Sequence, residues 1–358
     1  NVRNTVSRPL AADLSTQNVN FIIVLQFAQD PDPVSGFFCA CFRFFQKSGQ
    51  ILKKRSEAGN RIDFLKESFY DTYEKREGYN MNDHIKVFVA DIDGTLAGKG
   101  ERLMPHTREA LEKMHQDGIK IGVATGRPLD SRVLEKPKFW NLSFDFDFAI
   151  GMNGGDLWQQ GDEEINHYYL LDKKKVRLIL ELLQGFDLNA IIYEKGYDRI
   201  LCLRMDEFMK DSMKRNNSHV IVGDIDRLSQ YDTGKIEVHC LASEKERILE
   251  KLAPYDDGSW VMTQTFAVGD NVTIEFLDPR VNKGMGLEKY MEHNGYAPDE
   301  VIGFGDMEND IPLLEKAGWG VCLANGSAQT KQIADAVTDY TVEEDGLGRY
   351  LEDHIFNA

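Results

Sequence analysis

An α/β fold is predicted, a parallel sheet wrapped by helices with a second α/β domain inserted into it, and three observations predict it. From Met81 onward, short β-branched runs alternate with amphipathic helical stretches, the pattern of βαβ units. Asp- and Gly-rich turns follow several of these apolar runs, on the side where open α/β sheets place their ligands. Residues 156–271 carry an α and β pattern of their own, between two stretches that read as halves of one sheet.

The elements follow in order. Lys86 to Ala90 is a continuous, mostly apolar run and predicts the first strand. A helix is expected from about His106 to Gln116, stopped by Asp117-Gly118, and a second strand over Ile119 to Ala124. Thr125-Gly126-Arg127-Pro128 then turns into a helix near Leu129. A third strand, Phe146 to Ile150, runs into Gly151-Met152-Asn153-Gly154-Gly155. In the inserted stretch, helices are expected near Lys174–Leu183, Glu207–Arg215 and Glu244–Leu252. Strands are expected near Ala190–Tyr193, Arg199–Arg204, Lys235–Leu241, Trp260–Thr265 and Val272–Phe276. The first domain resumes with a strand at Val301–Phe304 and a helix at Asn309–Lys316, whose Pro312 falls in the tolerant first turn. A strand at Trp319–Leu323 and a helix at Ala328–Ala334 follow.

Charge narrows the function. The chain carries 59 acidic and 42 basic side chains, a formal charge of -17, which repels nucleic acid and anionic membrane. The longest apolar candidate for a span, Phe21 to Ala28, ends at Gln29-Asp30-Pro31-Asp32, too short for a bilayer. Five scattered cysteines with no Cys-x-x-Cys pair point to a reducing, cytoplasmic setting.

Four places carry chemistry. Asp91-Ile92-Asp93-Gly94-Thr95-Leu96 follows the first strand; a regular strand end would point Asp91 and Asp93 the same way, so that one is protonated or a cation lies between them. The plain alternative is an Asp- and Gly-rich surface turn. Gly303-Phe304-Gly305-Asp306-Met307-Glu308-Asn309-Asp310 offers Asp306 and Asp310 to a hard cation, although an Asp at a helix start is often only a cap. The Thr125 hydroxyl and the Gly126 N–H could hold a phosphoryl oxygen, or form only a turn. Lys283, between Asn282 and Gly284 at a helix start, could give an acidic chain the positive group an anionic ligand needs, where a lone Lys is usually a solvated surface charge.

In order and spacing these motifs resemble the haloacid dehalogenase-like superfamily, and within it the Cof-type (type IIB) sugar phosphatase branch. The matching residues are Asp91 to Leu96, Ala124-Thr125-Gly126-Arg127, Asn282-Lys283-Gly284, and Gly305-Asp306 with Asn309-Asp310. The Asn153-Gly154 turn and Asp345-Gly346 look like that branch too. The resemblance spans Met81 to about Ile355. It implies a Rossmann-like core at 81–155 and 272–358 and an inserted α/β (type IIB) cap at 156–271. It further implies hydrolysis of small phosphorylated metabolites, sugar phosphates among them, with Mg²⁺ as cofactor. Asp91 would be the nucleophile and Asp93 the general acid and base. The Asp91 carboxylate, the Asp93 main-chain carbonyl and the Asp306 carboxylate would hold the metal, supported by Asn309 and Asp310. Thr125 and Lys283 would stabilise charge on the transferring group, with Gly126 in support. A cap of this kind would close on the substrate about linkers near Gly154-Gly155 and Asp278-Pro279. One departure from the branch is the acidic approach to Lys283, Ile274-Glu275-Phe276-Leu277-Asp278-Pro279.

Two other readings fit the same motifs. A phosphomutase-like or phosphoglycerate-linked sugar phosphatase would need clustered cap arginines, whereas Arg177, Arg199, Arg204, Arg215, Arg227 and Arg247 are spread out. A non-catalytic phosphometabolite sensor would be expected to lose a nucleophile or metal residue, and none is lost. Oligomeric state is left open.

Residues 1–80 match nothing in the family and lack a domain's periodicity. The expectation is a disordered segment or upstream sequence translated in frame. Position 1 is not Met, Met81-Asn82-Asp83-His84-Ile85 precedes the first strand, and Arg76-Glu77-Gly78 can be encoded by a purine run like a ribosome-binding site. The alternative is a genuine extension, with a helix at Ile62–Glu74 docked on the core.

Overall fold

The structure is a computed structural model that describes residues 84–356; the expectations for 1–80 lie outside them. The first half of the core runs β1 (Val87–Ala90), α1 (Pro105–Gln116), β2 (Lys120–Ala124), β3 (Phe148–Gly151), β4 (Asp156–Gln159) and β5 (Asn166–His167). The insertion runs α2 (Lys173–Leu182), β6 (Leu188–Lys195), β7 (Arg199–Cys202), α3 (Glu207–Asn216), β8 (His219–Val222), β9 (Ile236–Leu241), α4 (Ala242–Leu252), β10 (Val261–Val268) and β11 (Asn271–Leu277). The core resumes with α5 (Lys283–Asn294), β12 (Val301–Gly305), α6 (Ile311–Lys316), β13 (Trp319–Cys322), α7 (Ala328–Ile333), β14 (Ala336–Val337) and α8 (Gly346–Leu351).

The core sheet has eight strands in the order β14-β13-β12-β1-β2-β3-β4-β5. It is parallel from β14 to β3, and β4 and β5 add an antiparallel edge. Its central strands β1, β3 and β12 are buried along their whole length because both faces are covered. In β1, Phe88 and Ala90 pack on one side with Leu111, Phe146 and Phe304. Val87 and Val89 pack on the other with Phe148, Leu287 and Leu313. Strand order reverses at β1, which lies between β12 and β2. That switch point opens a crevice at the carboxyl end of β1, where Asp91 sits.

The cap sheet has six strands in the order β10-β11-β9-β6-β7-β8, antiparallel except for the β7–β8 pair. Apolar residues on one face, among them Ile192, Val238 and Ile274, pack with Val176 and Ile179 of α2 and Ile248 of α4. The opposite side of β9 and β11 carries Glu237, His239, Thr273 and Glu275. The α/β class, the parallel core and the inserted cap are as the sequence predicts.

Strand membership moves both edges of the insertion. β4 and β5, expected in the cap from residue 156, extend the core sheet, because the turn at Asn153-Gly154 folds β4 back on β3 as a hairpin. β11, expected in the core from residue 272, pairs with β9 and β10 in the cap. The Gly154-Gly155 linker is therefore inside the core. Gly154 has φ +114°, and a Cβ there would collide with the Asn282 carbonyl.

Candidate active site

β1 delivers Asp91 to the crevice, with the Asp91 N–H still donating to the Phe304 carbonyl at 3.0 Å. The chain then turns tightly, with Leu96 N–H bonded to Asp91 O and Ala97 N–H to Ile92 O. Gly94 takes φ +88° in this turn, and any Cβ there would run into Asp306 Oδ2. The turn can thus lie against the acid that β12 presents. Thr95 donates its hydroxyl to Asp306 Oδ1 at 3.0 Å, and Asn325 donates to Gly94 O at 2.8 Å.

Lys283 enters from the first turn of α5, whose start is capped by the Asn282 side chain accepting from Met285 N–H. It is fully buried, so it is not the solvated surface charge that a lone Lys usually is. Its ammonium donates to Asp91 Oδ1 and to Asp310 Oδ1, both at 2.5 Å. The other oxygen of Asp310 accepts the backbone N–H groups of Asp306 and Met307, at 2.9 and 3.0 Å. Asp310 therefore caps its own loop with one oxygen and turns the other to Lys283.

Asp91, Asp306 and Asp310 are buried, with one oxygen of each within 4.8 Å of the others. Burial pushes Asp91 well above the ordinary carboxylate range; Lys283 opposes this, and Asp310, Asp93 and Asp306 add to it. Burial, then Asp310, raises Asp306 to about 6. Burial alone would lower Lys283, but Asp310 and Asp91 hold it above its usual value. One ammonium thus faces three buried carboxylates, and a divalent cation would relieve the imbalance. The all-oxygen donor set fits a hard ion such as Mg²⁺.

Asp93 departs from the expected geometry. Because the strand ends at Ala90, its exposed carboxylate turns away from the cluster to Arg127, whose Nε and Nη2 donate to it at 2.9 and 2.6 Å. Arg127 also pairs with Glu101 at 2.8 Å. Thr125 is buried at the end of β2, and its hydroxyl oxygen accepts Arg127 N–H at 3.2 Å. Gly126 lies against Asn153, whose Oδ1 also accepts from Asn309 Nδ2 at 3.4 Å. Asp91, Lys283, Asp306 and Asp310 thus form one directly bonded or adjacent centre. Asp93, Thr125, Gly126 and Asn309 join its rim through Arg127 and Asn153.

The roles of Arg127, Asn153 and Asn325 emerge only in the folded chain. Arg127 ends the Ala124-Thr125-Gly126-Arg127 motif and Asn153 opens the Asn153-Gly154 turn, whereas Asn325 carries no local signal. The late Asp345 is structural: its carboxylate accepts from the His106 and Thr107 N–H groups and from the Thr107 hydroxyl at the start of α1.

A buried acid and lysine centre thus lies at the switch point of a parallel sheet that carries an inserted α/β cap. Residues 88–351 match the haloacid dehalogenase-like hydrolase family, and the chain belongs to it. It is 26% identical over 269 residues to the 5-amino-6-(5-phospho-D-ribitylamino)uracil phosphatase YitU of Bacillus subtilis, covering 75% of this chain and 97% of the relative. It is 30% identical over 253 residues to the phosphoglycolate phosphatase of Methanopyrus kandleri, covering 71% and 90%. In fold it is similar to a haloacid dehalogenase-like hydrolase from Bacteroides thetaiotaomicron, with a TM-score of 0.65 and 23% identity over 75% of this chain and 99% of that one. A subclass IIB sugar phosphatase gives 0.63 and 24%, covering 75% and 98%.

Proposed function

We propose that this chain hydrolyses small phosphate monoesters, sugar phosphates or related metabolites, with Mg²⁺ and through an aspartyl-phosphate on Asp91. The chain is a phosphatase of its family. The observation that carries the mechanism is the buried Asp91 carboxylate, held by Lys283 within the Asp91, Asp306 and Asp310 cluster.

An Asp91 oxygen attacks phosphorus in line, and the bond from phosphorus to the ester oxygen breaks. Asp93 gives that oxygen its proton. Water then attacks the acyl phosphate, Asp93 takes a proton from it, the bond to Asp91 breaks, and inorganic phosphate leaves. Lys283, the Thr125 hydroxyl and the Gly126 N–H meet the charge on the transferring group. Bound Mg²⁺, held by Asp91, Asp306 and the Asp93 carbonyl and backed by Asn309 and Asp310, would supply Lewis-acid charge to the phosphoryl oxygens.

The named relatives act on a phosphorylated ribitylaminouracil and on phosphoglycolate, which supports a small monoester as substrate. Hydrolysis is favoured over a mutase reaction because five of the six cap arginines have local acidic partners: Arg177 with Asp226, Arg199 and Arg227 with Glu194, Arg204 with Asp187, Arg247 with Glu244. Among the described residues no helix is long and apolar enough to cross a membrane. Cys202, Cys240 and Cys322 are free and buried, in keeping with a cytoplasmic setting.

Phosphate release from p-nitrophenyl phosphate, with and without Mg²⁺, tests the reading, followed by a panel of phosphorylated metabolites. No release from any of them under Mg²⁺ would favour the sensor.

A further inference from the structure

The cap holds an arrangement that sheet stability alone does not explain. Glu237 on β9 and Glu275 on β11 sit directly opposite each other in the ladder, and both are buried. Like charges across a strand pair destabilise it, and burial makes the penalty worse. Lys235, buried beside them, forms an ion pair with Glu275 and lies 3.4 Å from Glu237 Oε2. Glu237 also accepts from the Tyr193 hydroxyl at 2.9 Å and lies 2.9 Å from His239 Nε2. Despite its burial, Glu237 is held down at about 2 by Lys235 and His239.

The ion pair does not close on itself. Lys235 Nζ reaches across to the core and donates to the Gly126 carbonyl at 3.1 Å. Glu275 Oε2 accepts from Asn153 Nδ2 at 2.6 Å, and Asn153 is in turn bonded to Asn309. Both outward bonds thus land on loops that rim the acid centre.

The Gly126 carbonyl and the Arg127 N–H belong to one peptide group. Its oxygen is taken by Lys235, and its N–H donates to the Thr125 hydroxyl oxygen. An ammonium on the carbonyl polarises the peptide and strengthens the bond from its N–H. With its oxygen accepting from that N–H, the Thr125 hydroxyl has its own proton free to point at a phosphoryl oxygen. The same peptide leads into the Arg127 side chain that grips Asp93.

We propose that the cap ion pair Lys235–Glu275 is a positioning device for the reaction, which orients the Thr125 hydroxyl and the Arg127–Asp93 pair by fixing the Gly126–Arg127 peptide when the cap is seated. This rests on the phosphatase reading above. A pair serving only to stabilise the cap could be exchanged for uncharged groups without changing the turnover of folded protein.

The test is the double change Lys235→Met with Glu275→Gln, which removes both charges together, beside Lys235→Arg, which keeps a donor long enough to reach Gly126. Kinetics use p-nitrophenyl phosphate with Mg²⁺, and hydrogen exchange follows the Arg127 amide. The double variant should lose on the order of 10-fold to 100-fold in kcat with KM little changed, as expected for a misplaced reacting group. Its Arg127 amide should exchange faster, and Lys235→Arg should restore most of both. Should the double variant not fold, Lys235→Gln, too short to reach the carbonyl, serves the same comparison. Wild-type kcat with unchanged Arg127 exchange overturns the proposal, and so does a loss confined to KM, which would make Lys235 a substrate-binding group. If the wild-type chain releases no phosphate, the phosphatase reading fails by itself. The exchange comparison, run with and without orthovanadate, then still decides whether Lys235 fixes the peptide.

Discussion

Arg127 grips the Asp93 carboxylate with two hydrogen bonds, from Nε at 2.9 Å and from Nη2 at 2.6 Å. This fork fixes the direction of a side chain that is otherwise exposed. Arg127→Ala should therefore act like a partial loss of Asp93, lowering kcat by about 10²-fold, at the low end for general acid–base help. Arg127→Lys should recover only part of this, because a point charge cannot replace the fork. The loss should be greater for alkyl phosphates than for p-nitrophenyl phosphate, whose leaving group hardly needs a proton. Equal losses on both substrates would show that Arg127 acts elsewhere than through Asp93.

Asp91→Asn should abolish turnover while leaving the protein folded, because an amide cannot serve as the nucleophile. Melting temperature should hold or rise, since the change removes one of three crowded buried carboxylates and leaves Lys283 paired with Asp310. Steady-state assay with calorimetry on the same sample checks both statements, and wild-type-like turnover would sink the mechanism.

Mg²⁺ should bind and stabilise the protein, and chelator should abolish turnover. Saturation to 100 times Kd adds about 2.7 kcal/mol, or roughly 4–5 °C in Tm for a chain of this size. The gain should depend on pH, and its sign follows from Asp306. Its folded, metal-free value is raised from 3.8 to about 6. Folded protein therefore keeps a proton there that the unfolded chain releases, and this contribution to stability is lost as pH rises through about 6. The cation replaces that proton, so the Mg²⁺-induced rise in Tm should be larger at about pH 7.5 than at about pH 5. Ca²⁺ should bind without supporting turnover, since its looser, higher coordination misplaces Asp91. Thermal shift at both pH values, with phosphate release under each ion, checks this; equal rates with Ca²⁺ would refute it.

Residues 81–358 expressed alone should match the full chain in Tm and turnover. The family match begins at residue 88, and the Bacillus subtilis relative aligns over 97% of its own length while leaving a quarter of this chain uncovered. Loss of folding or activity in the shorter protein would show that the first segment is structural.

What the sequence determined by itself is what short-range chemistry encodes. Apolar runs ending in Asp or Thr placed Asp91, Thr125 and Asp306 at strand ends, and Asn282-Lys283-Gly284 placed a lysine at a helix start. These are properties of a few neighbouring residues. The tertiary structure alone decided what those groups meet. Asp93 left the acid cluster because the strand stops at Ala90 and the turn swings its side chain to Arg127, 34 positions away. Lys235 found Glu275 across 40 positions, and Asn153 found that same glutamate across 122. The Asn153-Gly154 turn read as a domain exit, yet it closes a core hairpin, in which β4 pairs its backbone along the whole of β3. Strand-end chemistry is local and can be read along the chain, whereas a partner side chain is chosen by which strands lie next to each other, and that is fixed only when the sheets are assembled.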